Sequence, residues 1–167
     1  MKRIKKFLRR VAIVLLMAVI AGALYIRFYT PSVGYTDFKS FERSWTPNQY
    51  VVCPAGYCQA ESDRESPVFD LSRDQLINQL QDFVLSQPRV GYAGNSADGN
   101  QLYFIQRSKL IAFPDRITVQ VIKLGEGKTT IAIYSRSVYG IRDLDVNQTR
   151  IDKWLDEFTA KVAKPAS

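Results

Sequence analysis

Six basic residues, Lys2, Arg3, Lys5, Lys6, Arg9 and Arg10, stand directly before "VAIVLLMAVIAGALYI", sixteen residues without a charge from Val11 to Ile26. Counted from Phe7 to Tyr29, the segment crosses about 30 Å of hydrocarbon if Arg9, Arg10 and Arg27 extend their side chains to the interfaces. Positive charge ahead of such a span holds that end in the cytoplasm and sends everything after Tyr29 across. The expectation is a membrane-anchored protein. It has a basic cytoplasmic tail at 1–10, a transmembrane anchor at 11–29, a linker at 30–48, an exported domain at 49–163 on the periplasmic or extracellular side, and a short tail at 164–167. A cleaved signal peptide is the rival reading, because Ala21-Gly22-Ala23 resembles a small-residue cleavage site. Leu24, Tyr25, Ile26, Phe28 and Tyr29 weigh against cleavage, since they prolong the apolar run as an interfacial aromatic belt. Both readings export the domain.

A composition 46% apolar and 12% aromatic belongs to a chain that folds around a core. The net charge of +7 suggests nucleic acid only until the charges are placed. Beyond residue 10 there are 17 basic residues against 16 acidic ones, a body of net charge +1 without the broad basic footprint that phosphate binding requires. Histidine is absent, which removes histidine-based triads, imidazole general bases and nearly all zinc sites. No metal and no cofactor is expected. The two cysteines, Cys53 and Cys58, enclose Pro-Ala-Gly-Tyr, a spacing wrong for a redox C-x-x-C pair. In an oxidising compartment they read as a disulfide closing a tight loop, with an entropic gain under about 3 kcal/mol. In a reducing one they are two ordinary thiols.

Along the domain, "PVFDLSRDQLINQLQDFVLSQP" predicts a helix. Ser72 and Gln75 form a capping box, Leu71 can staple onto Leu76, and Leu76, Ile77, Leu80, Phe83 and Val84 make one apolar stripe that ends before Pro88. Four strand-like runs follow. "RVGYA" and "QLYFIQR" flank a Gly- and Asn-rich connection, and "RITVQVIKL" and "KTTIAIYSRSV" flank Gly125-Glu126-Gly127. A second helix carries Ile151, Trp154, Leu155, Phe158 and Val162, with Asp145 expected as its cap and Gln148 closing the box. The predicted class is α+β: an antiparallel sheet of four to five strands with two packed helices, preceded by one transmembrane helix.

The run "YSRSVYGIRDLDVNQTRIDKW" crowds polar residues into the handover from the last strand to the last helix. Alternation puts Ile131, Ile133, Ser135 and Ser137 on one face, with Ala132, Tyr134 and Arg136 on the other. At 100° per residue, Asn147 falls within the apolar stripe and Arg150 at its flank. Ser135, Ser137 and Asn147 therefore converge where the helix begins. One reading makes them a structural joint, with Asp143 pairing Arg150 and Gly140 supplying a backbone conformation other residues resist. The other makes them the polar end of a pocket, with Arg142 or Arg150 attracting an anionic head group. Arg136 reads as a stacking or surface residue.

The same residues resemble a signature, S-R-S followed by G, D, N and R at fixed offsets, here Ser135, Arg136, Ser137, Gly140, Asp143, Asn147 and Arg150. It is similar to the close of the domain of unknown function 1499 family of bacteria and plastids. "YVVCPAGYC", "SPVFDLS" and "QRSKLIAFPDRITVQ" resemble segments of a subgroup with an amino-terminal membrane helix, so the similarity spans roughly Gln49 to Phe158. The family often has Gly two residues after the signature Asp, where this chain has Asp145. An Asp cap is therefore expected there in place of a left-handed turn. The resemblance implies a fold and an envelope setting; it implies no reaction.

The function expected is that of a noncatalytic envelope domain, one that binds a lipid or amphipathic small molecule between sheet and helix or docks onto a membrane partner. A cavity of a few hundred Å³ behind the last helix would favour the first, and a filled core the second. The enzyme alternative, hydrolase-like or otherwise, would draw an acid or base from Asp143, Asp145, Asp70 or Tyr139 beside an arginine. Isolated carboxylates near arginines are far more often ion pairs.

Overall fold

A computed structural model describes residues 2–163; the expected tail at 164–167 lies outside the described residues. The chain opens with α1 (Lys2–Phe28), whose 27 residues extend roughly 40 Å at 1.5 Å per residue. None of its residues is buried, and it is long and apolar enough to cross a membrane.

The elements that follow are β1 (Gln49–Cys53), β2 (Arg64–Glu65), β3 (Val68–Phe69), α2 (Arg73–Leu85), β4 (Val90–Asn95), β5 (Gln101–Arg107), β6 (Pro114–Gly125), β7 (Lys128–Ser137) and α3 (Val146–Val162). Among the described residues the class is α+β with three helices, and the sheet has seven strands in place of the expected four to five. Its order is β2-β1-β7-β6-β5-β4, with β3 also on β7, and every pairing is antiparallel except β1 with β2. The surplus comes from residues 64–69. There two strands of two residues each leave no alternation to read, and Arg64 lies in a polar segment.

Two faces of the sheet are covered. Tyr50, Val52, Leu102, Phe104, Ile117, Val119, Val121, Ile131 and Ile133 face α2 and α3, which contribute Leu76, Leu80, Phe83, Val84, Ile151, Trp154, Leu155 and Phe158. The capping box of Ser72 and Gln75 is formed in full and starts α2 at the register that buries this stripe. Phe158 sits between the rings of Phe69 and Phe83, at 5.5 and 5.4 Å. On the opposite face residues 31–48 form no strand and run across the sheet. Phe38 is buried against Cys53 and Ala132, and Thr36 exchanges two hydrogen bonds with the Gln101 side chain. Cys53 and Cys58 form a disulfide on this face.

α3 is also tied to the sheet edge. Tyr50 Oη donates to Asp152 at 2.8 Å, and Arg64 reaches Asp152 and Asp156 at 3.0 and 2.6 Å. Burial, and then the bond to Asp152, push the Tyr50 phenol well above its ordinary range, so it remains a donor throughout the physiological pH range.

The two ends of the sheet differ. At one end lie the disulfide loop, the β4–β5 and β6–β7 hairpins and the start of α2. At the other lie the α2–β4, β5–β6 and β7–α3 connections, the start of β1 and the carboxy end of α1. Arg107 joins that last group: its guanidinium donates to Tyr29 O at 2.8 Å, Ile26 O at 3.3 Å and Ala112 O at 3.1 Å. It thereby meets carbonyls that the end of α1 leaves without helical partners.

Phe158→Ala is expected to lower the unfolding free energy of the full chain in detergent by about 3–5 kcal/mol. Val68→Ala, at an exposed position, should stay within about 0.5 kcal/mol. Denaturant titration followed by tryptophan fluorescence measures both.

Candidate functional site

The apolar rows of the helix-facing side end in polar residues at the α1 end of the sheet. On β7 the row Ile131, Ile133 continues as Ser135 and Ser137. On β6 the row Val121, Val119, Ile117 continues as Asp115, and on β5 Leu102 and Phe104 continue as Gln106. The register sets Gln106 beside Asp115 and Asp115 beside Ser137, so the polar ends are neighbours. The first two turns of α3 lie over them and bring Asn147 and Arg150.

Asn147 is 1% exposed and satisfies both ends of its amide. Its oxygen accepts from Ser135 Oγ at 2.6 Å and from Arg150. Its nitrogen divides two hydrogens among Asn48 O at 3.2 Å, Ser137 Oγ at 3.1 Å and the Asp143 carboxylate. Arg150, 7% exposed, donates to Asp115 at 2.8 Å, to Gln106 Oε1 at 2.6 Å and to Ser135 Oγ at 2.8 Å. Its Nε is buried without a partner. Asp115 is the counterion, and it too is buried.

Asp143 does not pair with Arg150. Its carboxylate accepts the Asn147 backbone N–H at 2.9 Å and its carbonyl accepts from Val146 at 3.2 Å, so Asp143 caps the helix. The expected cap, Asp145, makes no side-chain capping bond and has φ 60, with Leu144 at φ 54 before it. The left-handed turn is therefore kept, with Leu and Asp in it. With Asp143 already on the free N–H groups, the reversal needs backbone curvature and not a second cap. Gly140 has φ 85, and its carbonyl accepts from Asn48 Nδ2 at 2.6 Å, which ties the β7–α3 connection to the start of β1.

Ser135, Ser137, Asp143, Asn147 and Arg150 thus form one network, to which Gly140 is linked through Asn48. Arg136 points to the other face and is exposed, as are Arg142 and Asp145. Asp70 is exposed beyond β3 at the opposite end of the sheet. The Tyr139 ring packs on Phe113 at 5.4 Å. Asn48, Gln106 and Asp115 join the network without belonging to the signature. For the last two the signal was available, because each stands two positions beyond a core residue on the same strand face.

Between α3 and the sheet Ile151, Leu155 and Phe158 are 2% exposed or less, and the depression of about 600 Å³ beside α3, lined by Pro67, Asp156, Thr159 and Ala160, lies on its flank and opens to solvent. The concave surface nearest the network is a groove of about 300 Å³ between α3 and the α2–β4 connection, lined by Pro88, Arg89, Leu144, Arg150, Lys153 and Trp154. At the opposite end Asp98 borders a larger polar depression with Arg73. Hydrogen bonds from Ser96 and then Asn100 hold the Asp98 carboxyl down to about 2, which makes it a poor proton acceptor near neutrality. Its partners are those of a tied turn.

The profile of a family described as a protein of unknown function (DUF1499) matches residues 42–158, more than two thirds of the chain, and the chain belongs to that family. Among curated proteins no sequence matches it.

Arg150→Met is expected to destabilise the domain by about 3–5 kcal/mol, because Asp115 is left buried without its cation. Adding Asp115→Leu should recover about half of that loss or more. Thermal or denaturant unfolding of the two variants checks both. An Arg150→Met protein as stable as the parent would mean that the guanidinium does not hold the joint.

Proposed function

We propose that this member of the DUF1499 family is an exported domain held at the bacterial inner membrane by α1, noncatalytic, and built to dock onto a membrane partner. The amino terminus is cytoplasmic, and the domain stands on the periplasmic or extracellular side. Six basic residues before the apolar helix support the orientation, and the Cys53–Cys58 disulfide fits an oxidising compartment beyond it.

The observation that carries docking over lipid carriage is the filled contact between the sheet and its two helices. Leu76, Phe104, Ile117, Ile131, Ile151 and Phe158 are all 1% exposed or less, at the place where a carried lipid chain would lie. A hydrocarbon tail could enter only by displacing close-packed side chains. Catalysis finds little support in the polar network, whose Asn147, Asp143 and Asp115 are engaged with one another, with Arg150 or with backbone.

Two measurements on the full chain test the reading. Alkaline phosphatase fused at the carboxy end should be active in cells, whereas a phosphatase that stays inactive beside a fluorescent cytosolic reporter fusion would overturn the topology. Native mass spectrometry after gentle extraction should show the chain without a stoichiometric lipid once detergent is exchanged. A retained lipid at one copy per chain would favour the carrier reading.

A further inference from the structure

The α1 end of the domain carries a set of exposed apolar side chains that the fold does not use. Leu110 is 91% exposed and Ile111 52% in the β5–β6 connection; Ile141 is 59% and Leu144 87% exposed in the β7–α3 connection. Side chains of this size, concentrated on the loops at one end, mark an interaction surface. Basic residues stand among them: Arg89, Lys109 and Arg142 are exposed, and the only acids in the three connections are Asp143, committed to Asn147, and Asp145.

What covers this surface follows from Arg107. One guanidinium bonds the last carbonyls of α1 and the carbonyl of Ala112, so the β5–β6 connection is fastened to the point where the apolar helix ends. Leu110 is three residues from Arg107 and at most about 10 Å of chain away from it. The interfacial zone outside the hydrocarbon is itself about 5–7 Å deep on each side. With α1 spanning the bilayer, Leu110 and Ile111 are within reach of the head groups. Leu144 and Ile141 share that end of the sheet, where the rings of Phe113 and Tyr139 join the two connections.

We infer that the β5–β6 and β7–α3 connections insert Leu110, Ile111, Ile141 and Leu144 into the outer leaflet of the same bilayer that α1 crosses, with Lys109, Arg142 and Arg89 on anionic phospholipid head groups. The inference rests on the reading of α1 as an anchor. Apolar tips with a cationic rim are the composition that interfacial membrane contact requires. The contact fixes the domain's tilt: the disulfide loop and the two hairpins face away from the membrane, and the groove by Arg89, Lys153 and Trp154 opens at the membrane edge.

The test uses the full chain in vesicles of phosphatidylcholine with phosphatidylglycerol, carrying one added cysteine at a time for a fluorescent label: Met17→Cys, Leu110→Cys, Leu144→Cys or Glu126→Cys. All four positions are exposed, and the native cysteines remain in their disulfide. Spin-labelled lipid should quench the labels at 17, 110 and 144 at least about twofold more than the label at 126. Quenching at 17 with either 110 or 144 no stronger than 126 overturns the leaflet contact and leaves the anchor standing. An unquenched label at 17 overturns the anchor and the contact together. Lys109→Glu with Arg142→Glu should reduce quenching at 110 and 144 and leave 17 unchanged; no reduction overturns the role of anionic head groups.

Discussion

Arg150 brings a charge into the end of an apolar interface, where a cation without a counterion would cost several kcal/mol, and its surroundings answer that cost one group at a time. Asp115 supplies the counterion from β6, Gln106 an acceptor from β5, and Ser135 and Asn147 further acceptors from β7 and from α3 itself. Three strands and one helix can satisfy the guanidinium together only in one register. The network therefore fixes where α3 begins, and with it how the β7–α3 connection leaves the sheet. Asn147 extends the same constraint to Asn48, so the chain entering β1 is held by the residues that start α3. A buried ionic group of this kind is weak evidence for net stability, and its clearer use is to choose one packing over its neighbours.

The position of that constraint gives the domain its polarity. At the end that holds the network, Arg107 closes the carboxy end of α1 and Gly140 turns the chain toward solvent. At the other end a disulfide and two hairpins finish the sheet with short connections. In the tethered arrangement proposed above, stiffness at the α1 end matters, because a surface is presented to a bilayer at a defined angle only if its loops cannot move independently. Here Asn48 bonds Gly140, Asp143 bonds Asn147, and Arg107 bonds Ala112. The two connections carrying the exposed apolar residues are each tied to the sheet or to α1.

Much of this was readable from residues in order. The capping box at Ser72, the alternation along β7 and the helical stripe from Ile151 to Val162 each state a local preference that the fold keeps, and the convergence of Ser135, Ser137 and Asn147 followed from two periodicities alone. What escaped had no local period to carry it. β2 and β3 are too short to alternate, and the covering role of Phe38 depends on a segment without regular structure. The sequence points to Asp145 as the cap of α3 because Asp145 stands at the conventional position. Asp143, reaching forward over a left-handed turn, takes the amide that Asp145 would have taken. Asp115 stands outside the strand-like run that begins at Arg116, whereas its parity with Ile117 places it inside.

The central claim is that the buried Asn147 network organises the β7–α3 connection. Hydrogen–deuterium exchange of the full chain in lipid nanodiscs, Asn147→Ala against the parent, reads it residue by residue. The account predicts faster exchange across residues 138–150 and at the start of β1, with the β4–β5 hairpin unchanged. Exchange in 138–150 that is the same in both proteins would contradict it.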